Sequence, residues 1–388
     1  MTALARTLAL GLATVVAGCT SIPPATAPAS VSSVPSPVPR ATAGPTATPQ
    51  STPSAWFSLI DPGWAGAAWS PDGRWLMVWR RPMNAPLDRS ELDLDRPDGT
   101  VVARFNGTGD NDVGGFMPTW LDPTHFLAIR SGRVVIGSTD SLRLAPFPVS
   151  PGLGLASNGR GAVAMVDATV SVSAATATFV VTTATGTTSP RPGIPQGWSH
   201  DGTRLVVWRW RSGEGMETLG WLEILSWPGL RTVAAFPHDL AFSSTSSALF
   251  DLTDRYFLGE DARLHDLVTG TKSPVLWAGD QVVDARWNAA DQVVGADLTD
   301  GRAIAYDIHG HQAFATGPIG DDISGSRDGS VIALWFGDTG GSTLTLLSSG
   351  PQRQLVAPGS VQANVLFSPD GSELVIGSLG APLLLRRP

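Results

Sequence analysis

The sequence contains the stretch Ala68-Trp-Ser-Pro-Asp-Gly-Arg-Trp-Leu-Met-Val-Trp79, in which two apolar runs flank a tight turn. Two further copies are clear, namely Gly197-Trp-Ser-His-Asp-Gly-Thr-Arg-Leu-Val-Val-Trp208 and Leu366-Phe-Ser-Pro-Asp-Gly-Ser-Glu-Leu-Val-Ile376. In this turn Ser can accept a hydrogen bond from the backbone, Pro presets φ, and Gly takes the last position. Such recurrence indicates a repeat fold, because each unit can bury its faces only against its neighbours.

Five weaker copies lie between the clear ones: Trp120-Leu-Asp-Pro123, Ala156-Ser-Asn-Gly159, Phe250-Asp-Leu-Thr-Asp254, Trp287-Asn-Ala-Ala-Asp291 and Ser324-Gly-Ser-Arg-Asp-Gly329. The mean step is about 43 residues, the length of a four-stranded propeller blade. A second turn after each pair of runs supplies a second hairpin. The spacing predicts an all-β propeller of eight four-stranded blades. Seven blades are the alternative, because residues 243–247 offer a competing register for the fifth copy.

The two ends of the repeat region predict how the ring closes. The last unit has room for only two further strands, at 373–376 and 382–385, so its blade lacks a fourth strand. An unassigned run, Trp56-Phe-Ser-Leu-Ile60, precedes the first unit. We expect this N-terminal strand to complete the last blade, which removes an exposed sheet edge. The predicted propeller therefore spans residues 56–388.

The aromatic-Ser-Pro-Asp-Gly signature at 69–73 and 367–371 resembles the TolB-type propeller repeat, a relative of the WD-repeat families. The resemblance covers about residues 56–388 and implies a β-propeller of the kind found in many bacterial extracytoplasmic proteins. It implies a non-catalytic interaction platform, since related propellers serve in that way. A fold by itself does not define a function.

The N-terminus predicts an exported lipoprotein. A short apolar run between Leu8 and Val16 ends in Val16-Ala-Gly-Cys19, which resembles the lipobox of bacterial lipoprotein signal peptides. Cys19 is the only cysteine, so its thiol has no disulfide partner in the chain and is free to accept a diacylglycerol. Residues 1–18 are then a lipoprotein signal peptide and Cys19 is the lipidated residue. An ordinary signal peptide with an incidental cysteine is the alternative.

Residues 19–55 comprise this cysteine and a segment rich in Pro, Ser, Thr and Ala, whose composition predicts a disordered linker. Two acyl chains anchor a protein stably to a bilayer. The expected location is therefore the cell membrane, with the chain lipid-anchored on the extracytoplasmic face.

Composition and motifs restrict the partners. The net charge of −8 argues against nucleic acid, which needs a basic surface. The sequence contains no nucleophile elbow, zinc-protease motif, phosphate-binding loop or Cys/His ligand set, so we expect no cofactor, no metal and no catalytic residues. We expect a monomer whose partners are the membrane, through Cys19, and an unknown protein or cell-envelope ligand.

One acidic cluster is a candidate binding site. Segments that enter the first strand of each blade carry aspartates, and in a propeller these segments meet at one rim of the central channel. Carboxylates brought together there would attract a cation or a basic ligand. The candidate rim residues are Asp61, Asp110, Asp112, Asp239, Asp280, Asp284, Asp321 and Asp322. The alternative is that these aspartates cap turns in solvent.

Two functions remain open at this point. The favoured one is a non-catalytic extracytoplasmic lipoprotein whose propeller is a binding platform for a protein, peptide or cell-envelope ligand. The other is a lactonase- or glycosidase-like propeller enzyme that uses channel carboxylates, with or without a metal. An enzyme needs two carboxylates, or a carboxylate and a histidine, within reach of one substrate, whereas a binding module does not.

Overall fold

The computed structural model describes residues 56–60, 64–81, 89–109, 118–147, 156–166, 177–209, 221–237, 250–259, 262–276, 282–297, 302–316, 322–338, 341–348, 353–357, 364–377 and 383–386. All of them lie in one compact unit, Pro49–Pro388. The named elements of these residues are β-strands. Within the same residues no helix is long and apolar enough to cross a bilayer. The predicted all-β class is confirmed.

Strands that follow one another in the chain pair as antiparallel meanders. A first strand, β1 (Trp56–Ile60), precedes them. The first sheet contains β2 (Trp64–Trp69), β3 (Leu76–Arg81), β4 (Glu91–Asp95) and β5 (Val101–Asn106). The second contains β6 (Thr108–Gly109), β7 (Thr119–Trp120), β8 (His125–Arg130), β9 (Arg133–Ser138) and β10 (Arg143–Pro146). The third contains β11 (Ala156–Ser157), β12 (Ala162–Val166), β13 (Thr178–Thr183), β14 (Gly186–Thr187) and β15 (Arg191–Pro192).

The same order continues to the end of the chain. The fourth sheet contains β16 (Ile194–Trp198), β17 (Arg204–Arg209), β18 (Trp221–Ser226) and β19 (Arg231–Pro237). The fifth contains β20 (Tyr256–Leu258) and β21 (Leu264–Asp266). The sixth contains β22 (Val282–Trp287), β23 (Val293–Asp297), β24 (Ala303–Tyr306) and β25 (Gln312–Ala315). The seventh contains β26 (Asp322–Gly325), β27 (Val331–Asp338), β28 (Gly341–Ser348) and β29 (Arg353–Ala357). The last contains β30 (Asn364–Phe367), β31 (Leu374–Gly377), β32 (Leu383–Arg386) and β1.

The prediction of eight four-stranded blades, with seven as the alternative, is wrong. In the described residues five sheets form a regular four-stranded meander, whereas the sheets at β8 and at β13 have five strands and the sheet at β20 has two. In the sheet at β8 the first strand is split, because β6 and β7 both pair with β8 on either side of residues 110–117. The sheet at β20 is a two-stranded hairpin extended only by single bridges, Phe250 to Phe257 and His265 to Lys272. Pro274 follows the second bridge and has no N–H to continue the ladder.

The predicted closure by the N-terminal strand is confirmed. β1 pairs antiparallel with β32, and Trp56 lies opposite Arg386. β32 in turn pairs with β31, so the strand from the start of the repeat region supplies the fourth strand of the last sheet. This exchange ties the two ends of the repeat region into one sheet and covers an edge that could pair with another chain.

The core lies between the faces of successive sheets. On one face of the first sheet, Met77 and Leu92 pack with Phe126 of the second sheet. On its other face, Val78 packs with Val375 of the last sheet. The first sheet therefore buries one face against the second sheet and the other face against the last sheet, as a blade of a propeller does. Three tryptophans lie buried between the sheets, with Trp120, Trp198 and Trp287 only 4 to 5% exposed.

Candidate functional site at the first turns of the repeats

The first turn of each clear repeat has the structure that its sequence predicts. In the first copy, the Ser70 hydroxyl donates to Asp72 Oδ1 at 2.7 Å and accepts from the Trp75 backbone N–H at 3.0 Å. The Gly73 N–H closes the turn on the Ser70 carbonyl oxygen at 2.9 Å. Gly73 has φ of +71°, a region in which an L side chain is strained. The same contacts recur in the copies at Ser199, Ser326 and Ser368.

The weak copies keep this backbone even where the residues differ. The fourth turn position has positive φ in seven copies, at Gly73, Gly161, Gly202, Asp254, Asp291, Gly329 and Gly371. Asp and Asn tolerate the left-handed region better than most residues, which explains Asp254 and Asp291. Because the turns share one backbone, residues at equivalent positions point in equivalent directions around the ring.

The second turn position points into a central cavity of about 640 Å³, which lies where the first strands end. Every sheet contributes to its wall, through a first strand or the turn that follows. The residues at the second turn position that line the cavity are Pro71, Gly159, His200, Leu252, Arg327 and Pro369. Aromatic residues that precede these turns, among them Trp69 and Phe367, form the wall behind them.

The described wall of this cavity carries basic groups and no acidic ones. Its ionisable residues are His200, Arg286 and Arg327, and no Asp or Glu is among the described residues that line it. The Arg327 guanidinium lies across the cavity, since its Nη2 donates to the backbone carbonyl oxygen of His200 at 3.0 Å. These two residues belong to the seventh and fourth copies of the repeat.

His200 is held in place by a buried aspartate of the fifth copy. Asp254 is 5% exposed, and its two carboxylate oxygens accept the backbone N–H groups of His200 and Asp201, each at 2.8 Å. The Nδ1 atom of His200 lies 3.3 Å from the same carboxylate. The Arg204 guanidinium also donates to the Asp254 carbonyl oxygen. The turn at His200 is therefore fixed to the fifth copy by the hydrogen bonds that its backbone N–H groups and the Arg204 guanidinium donate to Asp254.

Arg286 lines the cavity beside a glycine, Gly325. Gly325 occupies the position where most copies have an aromatic residue, and a Cβ atom built on it would lie 3.7 Å from Cβ and Cγ of Arg286. The stem of Arg286 therefore passes along the backbone of the seventh copy. Its Nη1 donates to the Ala285 carbonyl oxygen at 2.8 Å.

The aspartates at the third turn position are occupied within their own turns. The Ser368 hydroxyl donates to Asp370 at 2.7 Å, and this hydrogen bond, together with the Ser372 N–H, lowers the pKa of Asp370. Burial would raise the pKa of Asp328, but the Ser330 N–H and the Ser326 hydroxyl lower it further than burial raises it. These carboxylates are ionised and partnered, and they stabilise the turns.

The predicted acidic rim falls largely outside the described residues. Asp61, Asp110, Asp112, Asp239, Asp280 and Asp321 all lie there, as does Cys19. Asp284 lies in β22 and Asp322 begins β26, so both precede the strand ends that form the cavity. The described side chains contain no group of three or more His, Cys, Asp or Glu that could hold a metal ion. The rim and the lipidation site stay predictions.

The basic cavity was not predicted from sequence. A signal for it exists, because the second turn position is Pro in two clear copies and His200 in the third. Arg327 occupies the same position in the weak copy Ser324-Gly-Ser-Arg-Asp-Gly329. These two departures from Pro are the residues with ionisable side chains at that position that line the cavity.

Comparisons with known proteins identify the fold. No family model matches the chain, and no curated protein matches it. Among solved structures, a Dos1 propeller matches with a TM-score of 0.53 and 10% identity, over 86% of this chain and 94% of that one. The β-propeller domain of Cps50 (Swd1) from Myceliophteria thermophila matches with a TM-score of 0.46 and 9% identity, over 85% of this chain and 98% of that one. A chain of a mitotic checkpoint complex matches with a TM-score of 0.46 and 13% identity, over 93% of this chain and 99% of that one. At such identities the likeness to the Dos1 propeller supports the β-propeller fold alone.

Proposed function

We propose that the chain is a non-catalytic, TolB-like binding module of the cell envelope. It is exported, anchored through a lipid on Cys19 to the extracytoplasmic face of the membrane, and monomeric. Its propeller holds a protein, peptide or cell-envelope ligand at the central cavity formed by the first turns.

The observation that carries this proposal is the construction of the cavity. Every sheet of the ring contributes to its wall through a first strand or a turn, and four of the turns are closed by both a backbone and a Ser–Asp hydrogen bond. A concave site with a few polar groups on a rigid frame is the usual form of a ligand site. Because the turns share one backbone, each copy can carry a different residue at the second turn position without a change of fold.

The lining of the cavity favours binding over catalysis. Hydrolysis by channel carboxylates needs acidic groups that face one substrate. In the described part of the wall the ionisable groups are basic. The carboxylate of Asp254, which lies behind His200, already accepts two backbone N–H groups.

Photo-crosslinking in the host cell tests the binding site. A photoreactive amino acid replaces Leu252, which lines the cavity, or Val268, which is 73% exposed on a hairpin of the same copy. The proposal expects a discrete crosslinked species from position 252 and not from position 268. Equal crosslinking at both positions, or none at position 252 in folded protein, would overturn it.

Metabolic labelling tests the anchor separately. Labelled palmitate should enter the wild-type protein and not the Cys19→Ala variant, and the variant should leave the membrane fraction. A variant that stays in the membrane without label would contradict the lipid anchor and leave the cavity proposal standing.

A further inference from the structure

We infer that the cavity recognises an oxyanion of the ligand, a carboxylate or a phosphate group, with Arg327 as the principal contact and Arg286 and His200 beside it. This inference rests on the proposed function and names the chemistry of the ligand.

The position of Arg327 is the first support. It stands where Pro71 and Pro369 stand in the regular copies, at the turn position that points into the cavity. A proline there only shapes the turn, whereas an arginine adds five N–H donors and a permanent positive charge. The Ser326–Asp328 hydrogen bond of 2.7 Å remains, so the turn folds without proline. The arginine is thus not needed to form the turn.

The second support is that most donors of Arg327 are available. One N–H group of Nη2 is used by the His200 carbonyl oxygen. Across the described residues no carboxylate forms a salt bridge with this guanidinium. Gly159 leaves space beside it, because a Cβ atom built on that glycine would lie 3.6 Å from Nη1. The exposed guanidinium therefore faces the cavity with a fixed orientation and unused donors.

The third support is the local charge. Although its tip is open to the cavity, Arg327 is surrounded by protein, and this desolvation together with the charge of Arg160 lowers its pKa. Asp254 acts in the opposite direction, but its carboxylate is already occupied by backbone N–H groups. An anion in the cavity would relieve the repulsion between Arg327 and Arg160. Paired charges in such a partly desolvated place attract more strongly than on an open surface.

The arrangement suits an oxyanion for geometric reasons. Guanidinium groups bind carboxylate and phosphate oxygens through two parallel N–H···O bonds. The Arg327 side chain is held at one end by the His200 carbonyl oxygen, so less freedom is lost when the anion binds. Arg286 lines the same cavity from the neighbouring copy and supplies a second charge.

Titration calorimetry on the purified full chain tests the inference at constant ionic strength. The probes are inorganic phosphate and succinate, which separate phosphate from carboxylate recognition, with choline as a cationic control. We expect saturable binding of at least one anion at one site, and no binding of choline. Arg327→Gln should weaken it at least about tenfold, and Arg327→Lys by less, because the charge stays but the paired geometry is lost. Arg130→Gln, at an exposed arginine outside the cavity, should change nothing.

Two controls keep the outcome decisive. Leu252→Glu places a carboxylate in the cavity without touching Arg327, so it should also weaken anion binding if Arg327→Gln proves unstable. Absence of phosphate and succinate binding, or binding unchanged in both the Arg327→Gln and Leu252→Glu variants, would overturn the inference. If position 252 still crosslinks a ligand in that case, the proposed function stands and only the oxyanion assignment fails.

Discussion

Arg327 donates a hydrogen bond from Nη2 to the carbonyl oxygen of His200 at 3.0 Å, across 127 residues of sequence. Both residues occupy the second position of the first turn, in the seventh and fourth copies. The contact shows how the repeat produces a site: a shared turn backbone brings equivalent positions to one cavity, and departures from the repeat give that cavity its chemistry.

The buried carboxylate of Asp254 should contribute more to stability than the aspartate at the same position of the next copy. Asp254→Ala removes the acceptor for two backbone N–H groups, which predicts a loss of roughly 2 to 4 kcal/mol in the free energy of unfolding. Asp291→Ala is the matched control, because its φ of +54° is close to the +58° of Asp254 and its side chain is exposed. Urea denaturation measures both. Equal losses would mean that the turn conformation alone matters.

A glycine between copies should tolerate alanine poorly. Gly329 has φ of +68°, and a Cβ atom there would lie 2.7 Å from the Ala289 backbone nitrogen. Strain and crowding together predict a destabilisation of roughly 2 to 4 kcal/mol for Gly329→Ala. Gly132 has φ of +71° with open space around it, so Gly132→Ala should cost only about 1 kcal/mol. Thermal or urea unfolding of the pair checks the difference, and similar costs would contradict the tight contact.

The indole N–H of Trp198 should contribute more to the free energy of unfolding than that of Trp69. Trp198 Nε1 donates to the Ala156 carbonyl oxygen of the preceding copy at 2.9 Å, whereas Trp69 Nε1 is buried without a hydrogen-bond partner among the described residues. Replacement by Phe should therefore cost about 1 kcal/mol more at Trp198 than at Trp69. Urea unfolding followed by circular dichroism measures it. A greater cost at Trp69 would show that its N–H has a partner.

Asp95 should make stability depend on pH. Burial, and then the charge of Asp93, raise the pKa of Asp95 to about 7, against a usual value near 3.8, despite Arg104 and Arg80. The folded protein then keeps a proton that the unfolded chain releases between about pH 4 and 7. Stability should fall as pH rises through that window, by on the order of 2 to 4 kcal/mol.

The Asp95→Asn variant should lose this dependence. It is expected to be more stable than wild type at pH 8 and little different at pH 4, in urea titrations at both values. Asp140→Asn, at an exposed aspartate, serves as the control and should follow wild type. A wild type whose stability rises between pH 5 and 8, with Asp95→Asn showing the same trend, would contradict the assignment.

The turn chemistry and the closure were predictable because both depend on local sequence. Ser70, Asp72 and Gly73 carry the hydrogen bonds and the positive φ that define the first turn, and the unassigned run Trp56–Ile60 completes the last sheet. The regularity of the blades was not predictable in this way. Single residues such as Pro274 end a strand that the spacing alone would allow.

The candidate site illustrates the same limit. The sequence predicts a site at the aspartates before the first strands. His200 and Arg327 differ from the usual proline of the turn, and that difference alone does not indicate a site. Their proximity follows from the ring, which brings the turns of separate copies to one cavity. Sequence spacing placed both at the same turn position, and the fold brings that position to one cavity.

Crystals of the full chain soaked in selenate test the central claim most directly, because the anomalous signal of selenium locates a bound oxyanion. The account predicts an anomalous peak in the central cavity within hydrogen-bond distance of the Arg327 guanidinium, and its loss in crystals of Arg327→Gln. Peaks confined to the outer surface, or a cavity peak that persists unchanged in the variant, would contradict it.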